Sequence, residues 1–519
     1  MMRDSILKLL LAVVLSLATV FLTACSTGAD KSINSEKYNV DAEGNPLKEV
    51  TLTFGFAGNQ SGDSNVLAEL EKRAKKDLNV RLDFKWSNKT TGIYDTVKAA
   101  MNSDTRCDAF CTETGLSYKD LQKLEKDGFV LDLKELFPKV APNYYKKFTK
   151  EDLNSITVNN KLLAVPNYLP NANLRCAIVR EDLMNKYNIP EIKSFDDLEV
   201  FLRTVKEKEP GIIPLYMDNT QSGPRGFYYD TALNLFAESM GYVVLDNELG
   251  LVYRWDDPET KVVAWEQTPE YCKAIETLKR WKDCGYYSEE KVYYIPGRYA
   301  AHIGNGAYEL LFTSLEVDYS YTDHSFRFYP LYSGKPTQKG YSFDGGVVIS
   351  SRSENPERVL AFIEWLQSNQ ENYDLLMYGI QGKNYVLYGD QFDIPKNAGM
   401  EDYAYWNWIG SGTFRNSDLE RTRVPNAPDF GKRYKDTLKG NVRYAPHTGL
   451  RIDTQLVEDI AQYRRSTFTS IEERIRMGQF TGNDIERYID DQKKKGVDKL
   501  VSIVQKQLDD WRKENQNKD

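Results

Sequence analysis

Histidine and cysteine are scarce in this sequence of 519 residues. There are 3 histidines, His302, His324 and His447, and 6 cysteines. The histidines are too dispersed to form a recognisable metal site, and no cysteines have the spacing of a zinc ligand set or a CxxC pair. We therefore predict no metal and no cofactor, and a chain of this length needs no disulfide framework to bury a core.

Basic tracts and catalytic motifs are also missing. Lys plus Arg total 68 against 76 Asp plus Glu, for a formal net charge of −8, and no dense basic run stands apart from acidic residues. Such a surface does not neutralise phosphates, so we predict no nucleic-acid partner. The sequence has no G-x-S-x-G or H-E-x-x-H motif, and residues 379–384 lack the spacing of a P-loop. These absences favour a protein that is not an enzyme and has no catalytic residues.

One long apolar run is present, at the N-terminus. Arg3 and Lys8 precede an uncharged run at 9–29 that ends in small residues, which is the layout of an export signal. The residues Leu-Thr-Ala-Cys at 22–25 resemble the bacterial lipobox, whose cysteine carries diacylglycerol and an amide-linked acyl chain such as palmitate. We predict a signal peptide at 1–24 and a lipidated Cys25 with a flexible tether at 25–47. The alternative is an uncleaved transmembrane anchor.

Strand and helix patterns alternate in the next part of the chain. Residues 50–56 and 80–86 alternate between apolar and polar, and the apolar residues of 67–78 recur at helical spacing between them. This order predicts an α/β fold with parallel strands and right-handed crossovers. Ligands of such sheets lie beyond the carboxyl ends of the strands. The loop after residue 56, Trp86 and the segment 112–113 should therefore share one rim.

Further along the chain, local signals indicate helices. Ser194 with Asp197 is a capping arrangement, and Pro356 suits the first position of a helix. An apolar stripe at 497–511 has helical spacing and predicts a helix packed on a core.

Three stretches, taken together, resemble the bacterial extracellular solute-binding proteins that serve sugar importers of the ATP-binding-cassette class. They are a turn and strand at 159–166 (NNKLLAVP), the segment 178–198 with its IVREDL and SFDDL elements, and the segment 345–350 (GGVVIS) leading into the helix at Pro356. Residues 375–383 and the C-terminal helix are further similar to the LplA/LipO-like lipoprotein branch of that family.

The resemblance implies two α/β lobes with a hinge and a ligand cleft between them. We expect lobe one at 48–168 plus 296–345, and lobe two at 169–295 plus 346–519 with a C-terminal helical extension. It also implies a monomer that captures a carbohydrate, in the first place an oligosaccharide, outside the cytoplasm. Its partners would be the permease subunits of an importer and the membrane that holds its lipid anchor.

Sugar sites combine aromatic platforms with side chains that make fixed hydrogen bonds. We chose aromatic candidates at loop rims and crossovers, and polar candidates beside them, since Asn, Gln, carboxylates and Arg match sugar hydroxyl or acidic groups. The predicted ligand-binding residues are Asn59, Gln60, Trp86, Glu113, Asn167, Tyr168, Arg225, Tyr228, Tyr229, Phe343, Asp344, Trp406 and Trp408.

Three alternatives stay open. Glu113 and Asp344 could act as the paired carboxylates of a glycosidase, because their separation cannot be read from the sequence. An aromatic-plus-amide site could also serve an importer receptor for peptides or other small polar solutes. The third alternative is a mostly helical outer-membrane lipoprotein that captures glycans.

Overall fold

The structure is a computed structural model, and the fold below refers to the residues that it describes. These are 38–41, 43–56, 64–87, 92–104, 106–112, 118–168, 175–216, 236–246, 249–287, 298–305, 324–331, 337–339, 345–395, 403, 413–424, 426–438, 442–447, 450, 452–476, 480 and 482–515. Cys25 and the N-terminal segment lie outside them. Among these residues, no helix has both the length and the apolar character needed to cross a bilayer.

Strands and helices alternate along the chain. In the described part, strands β1 to β18 are Val50–Phe56, Val80–Trp86, Ala109–Thr112, Thr157–Val158, Lys161–Leu162, Val165–Pro166, Arg175–Arg180, Ile213–Tyr216, Tyr242–Asp246, Leu251–Arg254, Val263–Ala264, Tyr299–Asn305, Phe326–Pro330, Thr337–Lys339, Gly346–Ile349, Val386–Tyr388, Gln391–Asp393 and Val442–Tyr444. Helices α1 to α15 are Ser64–Leu78, Ile93–Met101, Tyr118–Lys126, Leu136–Val140, Pro142–Tyr145, Lys150–Ser155, Glu181–Lys186, Phe195–Lys208, Pro269–Asp283, Pro356–Gln367, Gln370–Tyr378, Phe430–Leu438, Glu458–Arg476, Gly482–Lys494 and Val497–Asn515.

The first lobe comprises the described residues of 38–168 and 345–424. Its five-stranded sheet has the order β2-β1-β3-β15-β6. The predicted strand–helix–strand unit is confirmed, because β1 pairs in parallel with both β2 and β3. The alternation of β1 buries Leu52, Phe54 and Phe56.

Helix α10 lies against this sheet and begins at Pro356, as predicted. The rings of Phe362 and Phe54 are 5.4 Å apart. On the same helix, the fully buried Glu364 accepts hydrogen bonds from the backbone N–H groups of Asn143 and Tyr144, at 3.1 and 3.0 Å. Those groups belong to the first turn of helix α5, so a buried carboxylate of one helix satisfies the N-terminus of another.

The second lobe comprises the described residues of 175–331 and 426–515. Its four-stranded sheet has the order β13-β7-β12-β8. Helix α8 packs on this sheet and starts at the predicted cap, where the Ser194 hydroxyl accepts a hydrogen bond from the Asp197 N–H at 3.1 Å. Two lobes with mixed sheets show that the mostly helical alternative is wrong.

A C-terminal extension of three helices adds a further core to the second lobe. Val497, Leu500, Val504 and Leu508 of α15 are buried against the three-stranded sheet β11-β10-β9, which confirms the predicted apolar stripe. The guanidinium of Arg464 on α13 binds both carboxylate oxygens of Glu266, at 2.7 and 2.8 Å, and both side chains are fully buried.

The pairing of strands differs from the predicted division into lobes. We assigned 296–345 to lobe one, yet β12 and β13 pair with β7 in the sheet of the second lobe. We assigned residues from 346 onward to lobe two, yet β15 pairs with β3 and β6 in the first lobe. A short apolar strand suits either sheet, and only the backbone ladder between distant segments decides between them.

Candidate ligand-binding cleft

The carboxyl ends of the first lobe's parallel strands meet at one edge of its sheet, which we call the first rim. Phe56 pairs with Trp86 and with Cys111, so β1, β2 and β3 end side by side. Antiparallel β15 begins at the same edge, where Gly346 pairs with Thr112, and β6 ends there, where Pro166 pairs with Gly346.

The second lobe has a matching edge, which we call the second rim. Strand β12 ends at this edge with Asn305, and the parallel strand β8 ends three residues short of it, because Tyr216 pairs with His302. Antiparallel β7 begins there with Arg175 opposite Asn305, and β13 ends there with Pro330 opposite Cys176.

The chain passes between the two lobes from rim to rim. It leaves the first rim after β6 and enters the second rim at β7, and it returns after β13 to the start of β15. A further passage runs through Asn426. The side-chain oxygen of Asn426 accepts from the N–H of Phe326 at 3.2 Å, and its backbone oxygen accepts from the Gln391 side chain at 2.7 Å. The two rims therefore lie on the side of each sheet where the lobes are joined.

Trp86 lies at the first rim, as the sequence predicts. Its indole stacks on the ring of Phe56, with centroids 4.6 Å apart and planes inclined by 25°. The Ser87 N–H donates to the Phe56 carbonyl at 3.0 Å and extends the strand pairing past the tryptophan. The side chain is half-buried, so it combines a fixed orientation with partial exposure.

Asn167 and Tyr168 directly follow β6 and lie at the first rim, where the chain leaves for the second lobe. The N–H of Asn167 donates to the Gly345 carbonyl at 3.0 Å, and the N–H of Tyr168 donates to the Arg415 carbonyl at 2.8 Å. The half-buried Tyr168 ring contacts the edge of Phe148 and lies 5.0 Å from the Lys147 ammonium. Asn167 is fully buried. The backbone hydrogen bonds of these two residues hold the crossover in place. Ligand contact by their side chains stays a prediction.

The other predicted residues lie outside the described residues. Three of them are close in the chain to a strand of the first rim. Glu113 directly follows β3, and Phe343 and Asp344 come shortly before β15. The predicted residues that the structure does not describe are Asn59, Gln60, Glu113, Arg225, Tyr228, Tyr229, Phe343, Asp344, Trp406 and Trp408.

Sequence reasoning made no prediction for Tyr216, which ends β8 three residues short of the second rim. This tyrosine is half-buried and packs edge-on against Tyr299 with centroids 4.9 Å apart. Tyr299 is the first residue of β12, so this contact lies toward the end of the strand that is away from the rim.

No group of His, Cys, Asp or Glu side chains in the described part of the chain could hold a metal ion. Behind the first rim, the buried Tyr144 hydroxyl donates to the Pro166 carbonyl at 2.9 Å, and burial raises its pKa well above the usual range. This tyrosine therefore remains a neutral hydrogen-bond donor that fixes the start of the crossover.

A cavity of 370 Å³ lies beside the passage through Asn426, and Ser417 of its lining donates its N–H to the Tyr168 carbonyl at 2.9 Å. Charged side chains line the cavity, and most of them form ion pairs with other described residues. Asp418, for example, lies 2.6 Å from the Lys147 ammonium and 3.5 Å from that of Lys435. Burial opposes ionisation of Asp418, but the two ammonium groups outweigh it and lower the pKa of this carboxyl. The cavity is a junction of structural ion pairs.

Comparison with protein families decides the class of this chain. The family model described as "Bacterial extracellular solute-binding protein" matches residues 57–373, more than half of the chain. The chain belongs to this family. Solute-binding proteins work outside the cytoplasm and bind without chemical conversion, so the predictions of an extracytoplasmic protein and of a non-enzyme are confirmed.

Individual relatives support the same family and fold. A carbohydrate ABC transporter substrate-binding protein of Streptococcus pneumoniae serotype 4 is 23% identical over 360 residues, covering 63% of this chain and 68% of its own. The crystal structure of the N-glycan transport solute-binding protein of Streptococcus pneumoniae has a TM-score of 0.67 at 19% identity, covering 89% of this chain and 99% of its own.

The same N-glycan transport protein has been solved in complex with Man1GlcNAc and with Man5GlcNAc, with TM-scores of 0.60 and 0.57. The Streptococcus pneumoniae protein FusA in complex with kestose has a TM-score of 0.55 at 16% identity, covering 90% of this chain and 100% of its own. The predicted two-lobed α/β fold is thereby confirmed.

Proposed function

We propose that this solute-binding protein captures a carbohydrate, specifically an oligosaccharide, between its two rims and delivers it to the permease of an ATP-binding-cassette importer. The observation that carries the proposal is the pair of rims, joined by crossovers, with the half-buried Trp86 at the end of a strand of the first rim. The relatives named above, an N-glycan transport protein and a protein in complex with kestose, support sugar as the ligand class.

The mechanism follows from the arrangement of the lobes. Hinge closure around a ligand is the motion of periplasmic binding proteins as a class. A ligand shifts the equilibrium toward the closed form only if it binds that form more tightly than the open form. Contacts from both rims to one ligand would supply this difference, because an open form offers only one lobe at a time.

We further propose that Cys25 carries the lipid that holds the protein at the cell membrane. Two or more acyl chains give stable anchoring, whereas a single chain binds reversibly. Mass spectrometry of the mature N-terminus tests this directly. A diacylated or triacylated Cys25 at the first position would support the proposal, and a chain that still begins at Met1 would contradict it.

A thermal-shift screen of residues 26–519 tests the ligand class. Panels of neutral oligosaccharides, acidic oligosaccharides and peptides are compared, and each ligand is recovered afterwards by chromatography. A ligand at a hundred times its dissociation constant adds about 2.7 kcal/mol to the free energy of unfolding. We expect a higher melting temperature with one glycan class and an intact glycan.

Other outcomes of the screen would separate the alternatives. A shortened glycan would make the protein a glycosidase. A shift with peptides alone would remove the carbohydrate assignment while leaving an importer receptor. Small-angle scattering that is unchanged by a tight ligand would contradict closure of the cleft.

A further inference from the structure

The passage through Asn426 changes lobes within two residues. The N–H of Val424 still donates to the Phe392 carbonyl of the first lobe, at 2.9 Å. Two residues later, the Asn426 side-chain oxygen accepts from the N–H of Phe326 in the second lobe, while its backbone oxygen accepts from Gln391 in the first. Because hydrogen bonds to both lobes hold this point, a rotation of one lobe against the other pivots near it.

Asp418 is fixed to the first lobe. Its N–H donates to the side-chain oxygen of Asn416 at 3.1 Å, and Asn416 is fully buried. The N–H of Asn416 donates to the Tyr373 hydroxyl and its side-chain amide donates to Gln367, both at 2.9 Å. The Asp418 carboxylate also lies 2.6 Å from the ammonium of Lys147, another residue of this lobe. The carboxylate therefore moves with the first lobe.

Lys435 is fixed to the second lobe through helix α12. At the start of this helix, the buried Phe430 ring packs edge-on against Phe328 of β13, with centroids 5.2 Å apart. The guanidinium of Arg433 lies 6.0 Å from the centroid of the same Phe328 ring. Lys435 follows Phe430 by five residues, or roughly 8 Å along the helix axis. It therefore lies away from the pivot, on an arm of the second lobe.

Asp418 and Lys435 meet between the lobes. Their carboxylate and ammonium are 3.5 Å apart, and both residues line the cavity beside the passage. The two side chains are 44% and 32% exposed, so the ion pair is partly solvated. Each partner is held by a different lobe, so a rotation about the passage changes the distance between the charges. Their attraction falls as that distance grows.

We propose that the Asp418–Lys435 ion pair is an electrostatic latch that holds the two lobes in the arrangement described above. This inference rests on the proposed function, because it requires that the lobes rotate about their crossovers. A partly exposed ion pair shifts a two-state equilibrium by about two- to fivefold. By linkage, the latch changes the affinity for a ligand of the cleft by up to the same factor, although it lies outside the ligand site.

Single-molecule energy transfer between the lobes tests the latch without any ligand. One dye is attached through Lys139→Cys, at an exposed position of the first lobe, and the other to the exposed Cys272 of the second lobe. The full chain is purified in detergent with Cys25→Ser and Cys284→Ser, and the other cysteines are buried. The measured quantity is the ratio between the populations of different interlobe distances.

Substitutions on α12 locate the source of that ratio. Lys435→Glu places two carboxylates at the contact and should depopulate the latched arrangement by about fivefold, and Lys435→Gln, which removes only the attraction, by about twofold. In the wild type, 1 M salt should reproduce most of the Lys435→Gln effect, because the Debye length falls to about 3 Å.

The matched control is Lys432→Gln on the same helix. Its ammonium lies 2.8 Å from Asp436, one turn further along α12, so this ion pair does not span the lobes. The control should change the population ratio by less than about 1.3-fold. Lys435→Gln keeps the test available if Lys435→Glu does not fold, which circular dichroism shows.

Three results would overturn the inference. If folded Lys435→Glu and Lys435→Gln keep the wild-type ratio, or if Lys432→Gln shifts it as much as Lys435→Gln does, the ion pair is not a latch and the proposed function stands. If the wild type keeps a single interlobe distance at every salt concentration and with every glycan of the thermal-shift panel, the latch and the proposed closure of the cleft are contradicted together.

Discussion

Two fully buried carboxylates, one in each lobe, are compensated in different ways. In the first lobe, the carboxylate of Glu364 accepts hydrogen bonds from two backbone N–H groups of a neighbouring helix. In the second lobe, Glu266 is buried with a bidentate partner, Arg464. A buried carboxylate thus has two solutions in one molecule, the N-terminus of a helix for Glu364 and an ion pair for Glu266.

The lobes also differ in their histidines. All of the histidines in the sequence belong to the second lobe, and one of them, His447, lies 2.7 Å through its Nδ1 from the buried Tyr253 hydroxyl. Burial lowers the pKa of His447 to about 4. This residue predicts that mild acid destabilises the second lobe.

The largest effect is expected from breaking the buried ion pair. Arg464→Met leaves Glu266 charged and unpaired in the core of the C-terminal extension, which costs about 3–5 kcal/mol of unfolding free energy. Urea denaturation followed by circular dichroism measures the loss. The double variant Arg464→Met with Glu266→Leu should recover most of the lost stability, because it leaves no unpaired charge buried in the core. A single variant as stable as the wild type would contradict the contact.

The second effect is a pH dependence confined to the second lobe. Because the pKa of His447 is about 4 when folded and about 6.5 when unfolded, the unfolded chain binds more protons between these values. Stability is therefore fully present above pH 6.5 and is lost as the pH falls toward 4, by up to about 3 kcal/mol.

Unfolding measured from pH 7 to pH 4 checks this, with His447→Gln as the comparison. The substitution should flatten that part of the profile. An equally steep profile in the variant would assign the acid sensitivity to other groups.

A smaller effect is expected from the isolated carboxylate of the first lobe. Glu364→Gln keeps the shape of the side chain but removes its charge. It also replaces one acceptor oxygen by an amide NH2 donor, which would face the backbone N–H groups of Asn143 and Tyr144. We expect a loss of about 1–3 kcal/mol, the cost of an unsatisfied buried group. Thermal unfolding measures it. Glu357→Gln, half-buried in the first turn of the same helix, is the control and should change stability by less than about 1 kcal/mol.

The smallest effect is a matched pair of helix caps, one in each lobe. Ser194 caps α8 in the second lobe, and Asn369 caps α11 in the first through a 3.0 Å bond from the Asn372 N–H. Each change to Ala should cost about 1 kcal/mol. Similar losses would show that local capping is independent of the lobe, whereas a much larger loss at one cap would indicate tertiary coupling there.

Local signals were reliable predictors of this fold. The alternation in β1 and β2, the cap at Ser194 and the helix start at Pro356 were all confirmed. Each of these features depends on residues close together in the chain.

Predictions that depended on distant residues were less successful. The lobe boundary was wrong because β12, β13 and β15 are short apolar strands whose sheet cannot be read from their sequence. For the cleft, Trp86 was placed at the first rim through its long, regular strand. Residues such as Glu113 and Asp344 remain predictions.

The sequence by itself determined where helices and strands begin, which faces they bury, and the α/β class, because these follow from hydrophobic period, capping and proline positions within a few residues. Only the tertiary structure decided which lobe each later strand joins and which strands end at the two rims. Those outcomes depend on hydrogen-bond ladders and packing between segments far apart in the chain, and no local pattern encodes them.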